Sequence, residues 1–193
     1  MNRTRLMSRP PARRSGQQVF VLLEDPDRAD DFSVLLVDPV HREGLTLPGG
    51  SAEQDELPHL AARRHLETET GLVLGLRTVL TIDYVPAAEF PEGVDFVYAG
   101  GMLTPAQAET VRRHQPPADI RGLHWVPQAK LREVMADDQY RRVDDAWDAI
   151  EEDVSGDKTK LTVLKGVGIA VAAVLFLALY TLVLFQVIGY SWR

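Results

Sequence analysis

The chain has no cysteine among its 193 residues. That excludes a disulfide framework and any thiolate metal site, and it fits a reducing compartment. Acids are missing from both ends: the first is Glu24 and the last Asp157. Arg3, Arg5, Arg9, Arg13 and Arg14 precede the first of these, and Lys158, Lys160, Lys165 and Arg193 follow the last. Between them 12 basic residues face all 28 acids, so the formal net charge of −7 conceals a central body at −16. A body that acidic does not hold a nucleic-acid polymer by neutralising phosphates. If it handles phosphates, metal ions are the expected counter-charge.

Charge is absent altogether from Gly166 to Trp192. As a helix this run is about 40 Å long at 1.5 Å per residue, against a bilayer core of about 30 Å. Tyr190 and Trp192 fall near its end, where amphipathic rings favour the interface. The run is expected to be a single transmembrane helix. Lys158, Lys160 and Lys165 lie before it and only Arg193 after it. The positive-inside rule then puts the preceding domain in the cytoplasm. The N-terminus is rich in arginine but has no apolar h-region, so no secretory signal is visible.

Hydrophobic patterning orders the rest. Residues 1–15, with Pro10-Pro11, read as a disordered basic arm suited to anionic headgroups. Strands are expected at Gln18–Leu23 and Phe32–Val37, joined as a hairpin by a polar turn. A helix is expected from Pro58 to Thr70, with proline in its first turn and Gly71 at its stop. Val73–Tyr84 supplies strand material, and further strands are expected at Val94–Tyr98 and Ile120–Val126. Thr104 to Gln107 has the pattern of a capping box that opens a short helix. Another short helix is expected over Gln128–Met135. Tyr140, Val143, Trp147, Ile150 and Val154 recur at three- and four-residue spacing and predict an amphipathic helix, which together with a linker at Ser155-Gly156-Asp157 covers 137–157. Its acids, Asp144, Asp145, Asp148, Glu151 and Glu152, read as a solvated face.

The chemistry is concentrated between Leu47 and Leu72. Pro48-Gly49-Gly50 makes a tight turn where backbone can approach a ligand closely. It is followed by a helix carrying carboxylates, which can hold hard cations on one face. Such cations neutralise a diphosphate and activate water. The stretch resembles the signature of the Nudix hydrolase family. That signature runs Gly, five residues, Glu, seven residues, Arg-Glu, an aliphatic residue, any residue, Glu-Glu, any residue, Gly and an aliphatic residue. Gly50, Glu56, Arg64, Leu66, Glu69, Gly71 and Leu72 fall in register, and Glu53 matches an acid often seen inside the box. Ile120–Pro127 is similar to the late strand of many Nudix domains.

The resemblance spans residues 16–136. It implies an α/β fold, an α/β/α sandwich on a mixed sheet; the expected membrane anchor and its flanks, read from the uncharged run, follow at 158–193. It also implies a nucleotide-like small molecule as ligand, a divalent metal (Mg or Mn) as cofactor if the domain is active, and pairing of two copies.

The departures fall at the chemical positions. The family's Arg-Glu is Arg64-His65 here, and its Glu-Glu is Thr68-Glu69. By resemblance those three acids hold the metal, and only Glu69 remains. Glu67 points to nearly the opposite side of the helix and cannot substitute. His65 and Glu69, four residues apart, share a face; with Glu53 they form the candidate metal site, and His65 and Glu69 are the candidate catalytic residues. An imidazole suits zinc or manganese better than magnesium. Gly50, Glu56, Arg64 and Gly71 read as the structural part of the box, with Glu56 and Arg64 bracing loop against helix.

Two functions follow. One is a membrane-anchored, metal-dependent hydrolase of nucleoside diphosphate-linked compounds. The other is an inactive Nudix module that binds a nucleotide-like ligand or a protein partner at the membrane.

Overall fold

Val19, Phe20 and Val21 have no solvent exposure. Side chains alternate across a strand, so three such residues in a row require cover on both faces of the sheet. The computed structural model describes residues 13–24, 32–88 and 91–152. The arm at 1–12, the turn between the first two strands and the apolar run at 166–192 lie outside the described residues. Among the described residues no helix is long and apolar enough to cross a membrane. The chain divides into two units, Met1–Ala149 and Ile150–Arg193. The fold below is that of the first; of the second, only residues 150–152 are described, and they are helical.

The strands are β1 (Arg14–Glu24), β2 (Phe32–Pro39), β3 (Gly49–Ser51), β4 (Val79–Val85), β5 (Gly93–Met102) and β6 (Ile120–Pro127). They form one mixed sheet in the order β4-β5-β1-β2-β6, with β3 also on β1. β1 and β5 are parallel, from Arg14↔Gly93 to Leu22↔Met102. The other pairings are antiparallel. On its other side β1 changes partner: Gly16–Gln18 pair with β3, and Leu22–Glu24 with β2. β1 begins at Arg14, inside the stretch expected to be a disordered arm, because the parallel ladder with β5 holds its first residues.

α1 (Pro58–Thr70) has its predicted limits. Ala62 and Leu66 meet Val19, Val21, Leu35 and Tyr98 in the core on one face of the sheet. The residues after it, 71–78, are irregular rather than strand, and Leu72 and Leu76 still reach that core. α2 (Pro105–Arg113) opens on the capping box, with Thr104 Oγ1 accepting from Gln107 N at 3.3 Å. α3 (Leu131–Val134) is a single turn after a 3₁₀ turn.

The helix α4, residues 137–149 of this unit, covers the opposite face. Phe20 meets Trp147 edge to face with ring centroids 5.7 Å apart. The inward residues of α4 are Gln139, Arg142, Val143 and Ala146. That stripe is rotated from the expected Tyr140/Val143/Trp147 line by about one residue. The cause is polar pairing: Arg142 turns inward to meet Asp83 and Asp95 on the sheet, and Gln139 to meet Gln18. Val154, the last residue of the expected stripe, lies outside the described residues.

Candidate functional site

A cleft of about 770 Å³ opens at the end of the sheet where β1 leaves β3 for β2. The box forms one wall. β3 pairs with the start of β1 and carries Gly50 and Ser51. A Cβ on Gly50 would stand 2.3 Å from His65 Cε1, so glycine is what lets the imidazole lie against the loop.

His65 Nε2 is 3.0 Å from the Ser51 carbonyl. A carbonyl only accepts, so Nε2 carries the hydrogen. Nδ1 faces Glu69 Oε1 at 3.5 Å. The Glu69 carboxylate raises the pKa of His65; partial burial opposes this and the Ser51 carbonyl adds to it. Glu69 is itself 7% exposed, and its Oε2 accepts from Gly49 N at 2.9 Å. Loop and helix are thus tied by one imidazole and one carboxylate.

Glu56 and Arg64 form a second tie. Arg64 Nε donates to Glu56 Oε1 at 2.8 Å and Nη2 to Oε2 at 2.6 Å, a bidentate fork. Those bonds, and a further one from Glu53 N, hold the Glu56 carboxyl down to a pKa of about 2.

Glu53 does not join His65 and Glu69. It is exposed, outside the cleft, and its backbone closes the turn with Glu56. Thr68 is also exposed and outside the cleft, as is Glu67. Among the described residues no three His, Asp or Glu side chains are arranged to hold a metal ion. With Nε2 and Oε2 engaged by the backbone, one imidazole nitrogen and one carboxylate oxygen remain. Magnesium requires a near-octahedral shell of oxygens, and this donor set does not fit it.

The other wall was not legible as a site in the sequence. Asp95 of β5 is 4% exposed. Its Oδ1 lies 2.9 Å from Arg14 Nη1, and its Oδ2 lies 3.0 Å from Arg142 Nη1. Arg142, also 4% exposed, reaches Asp83 Oδ2 through Nε at 2.8 Å. Gln18 Nε2 donates to Gln139 Oε1 at 2.8 Å beside it. The one sequence signal was that Gln139, Arg142 and Ala146 keep helical spacing next to Val143, a polar pair on an otherwise apolar stripe.

The residues that build this cleft, with its tied glycine loop and helix on one side and its paired charges on a mixed sheet on the other, fall within one family match. Residues 14–146 match the model described as NUDIX domain. The chain belongs to the Nudix family. The match takes in both Arg14 and Arg142.

Among solved structures, the NUDIX domain of Shewanella oneidensis NrtR complexed with ADP ribose is 18% identical, with a TM-score of 0.57 over 72% of this chain and 90% of that one. NrtR from the same organism complexed with a 27mer DNA is 18% identical, with a TM-score of 0.57 over 71% and 62%. The MutT NUDIX hydrolase from Burkholderia pseudomallei is 20% identical, with a TM-score of 0.53 over 70% and 98%. Likeness at this level of identity shows the Nudix fold. No curated protein matches this chain.

Proposed function

We propose that this Nudix domain binds a nucleoside diphosphate-linked compound in the cleft, without turnover, on a domain tethered to a membrane. The observation that carries the reading is the state of the box. Its scaffold residues Gly50, Glu56, Arg64 and Gly71 are in place, while His65 and Glu69 tie the loop to the helix instead of presenting an oxygen shell to a cation. The ADP-ribose bound by the NrtR domain supports the ligand class.

Tethering rests on the uncharged run at 166–192 and the lysines before it, which favour a single pass with the domain on the cytoplasmic side. The acidic body argues for a small ligand rather than a nucleic-acid polymer, and the DNA complex of NrtR concerns that protein alone. Pairing of two copies is part of the proposal through the family's habit.

Hydrolysis is the second reading. It is favoured by Glu69, the one box acid retained at a metal-binding position, which faces the cleft. The deciding experiment uses the full chain in detergent, a panel of nucleoside diphosphate derivatives, and magnesium, manganese or zinc. Calorimetric binding with no phosphate release supports the first reading. Turnover that is lost in Glu69→Gln supports the second. Neither binding nor turnover removes both. Removal of residues 158–193 should move the protein from the membrane to the soluble fraction. A C-terminal reporter on the cytoplasmic side would overturn the orientation, and a monomeric mass by light scattering would remove the pairing.

A further inference from the structure

We propose that Arg14 is the anion-contacting residue of this cleft, positioned by Asp95 and Gly16 to hold the ligand's diphosphate in the absence of a metal ion. The proposal rests on the ligand class above and adds which group recognises it.

Arg14 is the first residue of β1 and lines the cleft. Its side chain is 24% exposed and folds back over Gly16. A Cβ at Gly16 would meet Asp95 Oδ1 at 2.0 Å and Arg14 Nη1 at 2.6 Å. The space that any other residue would fill is therefore occupied by the guanidinium and its carboxylate.

The pair is close, at 2.9 Å, but it is not an aligned hydrogen bond: Asp95 Oδ1 has no hydrogen-bond partner among the described residues. No hydrogen bond from the Arg14 guanidinium is formed among the described residues either. Asp95 thus fixes where the guanidinium sits without using its N–H fork. That planar fork matches phosphate oxygens in pairs.

Charge points the same way. Arg14, Arg42, Arg141 and Arg142 meet three carboxylates, Asp83, Asp95 and Asp138, in one connected network. One positive charge is left over, and two of the arginines at the ends of the network, Arg14 and Arg42, line the cleft. A metal supplies this neutralisation when three box acids hold one. Here a guanidinium on the facing wall supplies it.

The test is calorimetric titration of the full chain in detergent with EDTA present, using inorganic pyrophosphate and ADP-ribose as separate probes. Both should bind. Arg14→Ala should weaken both by about tenfold or more, equivalent to about 1.4 kcal/mol. Gly16→Ala should do the same with every charge retained, because its Cβ displaces the guanidinium. Arg14→Lys should fall between, since an ammonium keeps the charge and loses the fork. Arg13→Ala removes a neighbouring exposed arginine outside the cleft and should stay within about twofold of wild type.

Melting temperature identifies any variant that has lost its fold; if Arg14→Ala is one, Arg14→Lys and Gly16→Ala decide. Folded variants at Arg14 and Gly16 that bind like Arg13→Ala overturn the proposal, as does binding of both probes only when a divalent cation is added, or no binding of either. Pyrophosphate bound through Arg14 with no affinity for ADP-ribose or other nucleoside diphosphates upholds it while removing the nucleotide ligand class. ADP-ribose bound indifferently to Arg14 does the reverse.

Discussion

At the scale of single residues, two titrating groups hold the box loop to its helix with opposite dependence on pH. Glu56 has its pKa lowered from 4.5 to about 2, first by the Arg64 fork. A depressed carboxyl stabilises the fold fully above its unfolded value, and the contribution is lost as pH falls through the folded value. Wild type should therefore melt higher than Arg64→Ala above pH 4.5, with the difference closing as pH falls towards about 2. A constant difference across that window would refute the linkage. His65 has its pKa raised, first by Glu69. Its contribution is complete below 6.5 and disappears as pH rises through the raised value. An imidazole titration followed by NMR should show the midpoint of His65 falling in Glu69→Gln. An unchanged midpoint would mean that Glu69 is not the cause.

At the scale of elements, the helix of the box is held by its ends more than by its sequence propensity. α1 has no side-chain cap at Leu57, starts on Pro58 and stops on Gly71, whose φ of 74° is left-handed. Its N–H returns to Glu67 O at 2.9 Å and closes the last turn. Gly71→Ala should destabilise the domain by about 1–2 kcal/mol, the penalty for an L-residue in that conformation, with some further strain because the new Cβ would stand 2.9 Å from His114 Nδ1. Chemical denaturation measures it, and a loss below about 0.5 kcal/mol would contradict the argument. These limits were legible from proline and glycine alone, because both act through local backbone geometry. The orientation of α4 was not. Its apolar stripe was read one residue out of place, since Gln139 and Arg142 count as polar in any periodicity while their partners, Gln18, Asp83 and Asp95, come from strands more than 40 residues away.

At the scale of the whole molecule, the two sides of the sheet are joined by different physics. On the α1 side the contact is apolar, through Leu66, Val19, Val21 and Leu35. On the α4 side the Phe20–Trp147 contact is accompanied by Arg142, buried between Asp83 and Asp95. Removing one partner of a buried ion pair leaves an uncompensated charge and costs about 3–5 kcal/mol. Arg142→Ala leaves Asp95 with Arg14 and Asp83 with Arg141, so it should lower the denaturation midpoint by less than that. Arg142→Ala with Asp95→Asn should lower it by less than the sum of the two single changes, because they share the pair. Additivity would show that the network does not hold α4 to the sheet.

The sequence by itself determined the family, the mixed α/β architecture, the limits of α1 and the places where the box departs from its pattern. Those features depend on spacing along the chain, where glycine, proline and a fixed interval between charges have local meaning. Tertiary structure alone decided that His65 lies between Ser51 and Glu69, that Glu53 stands outside the cleft, and that Arg14, Asp95 and Arg142 form its second wall. Burial and partner choice are properties of residues brought together from distant strands and helices. No interval in the chain records that Arg14 and Arg142 bracket one carboxylate.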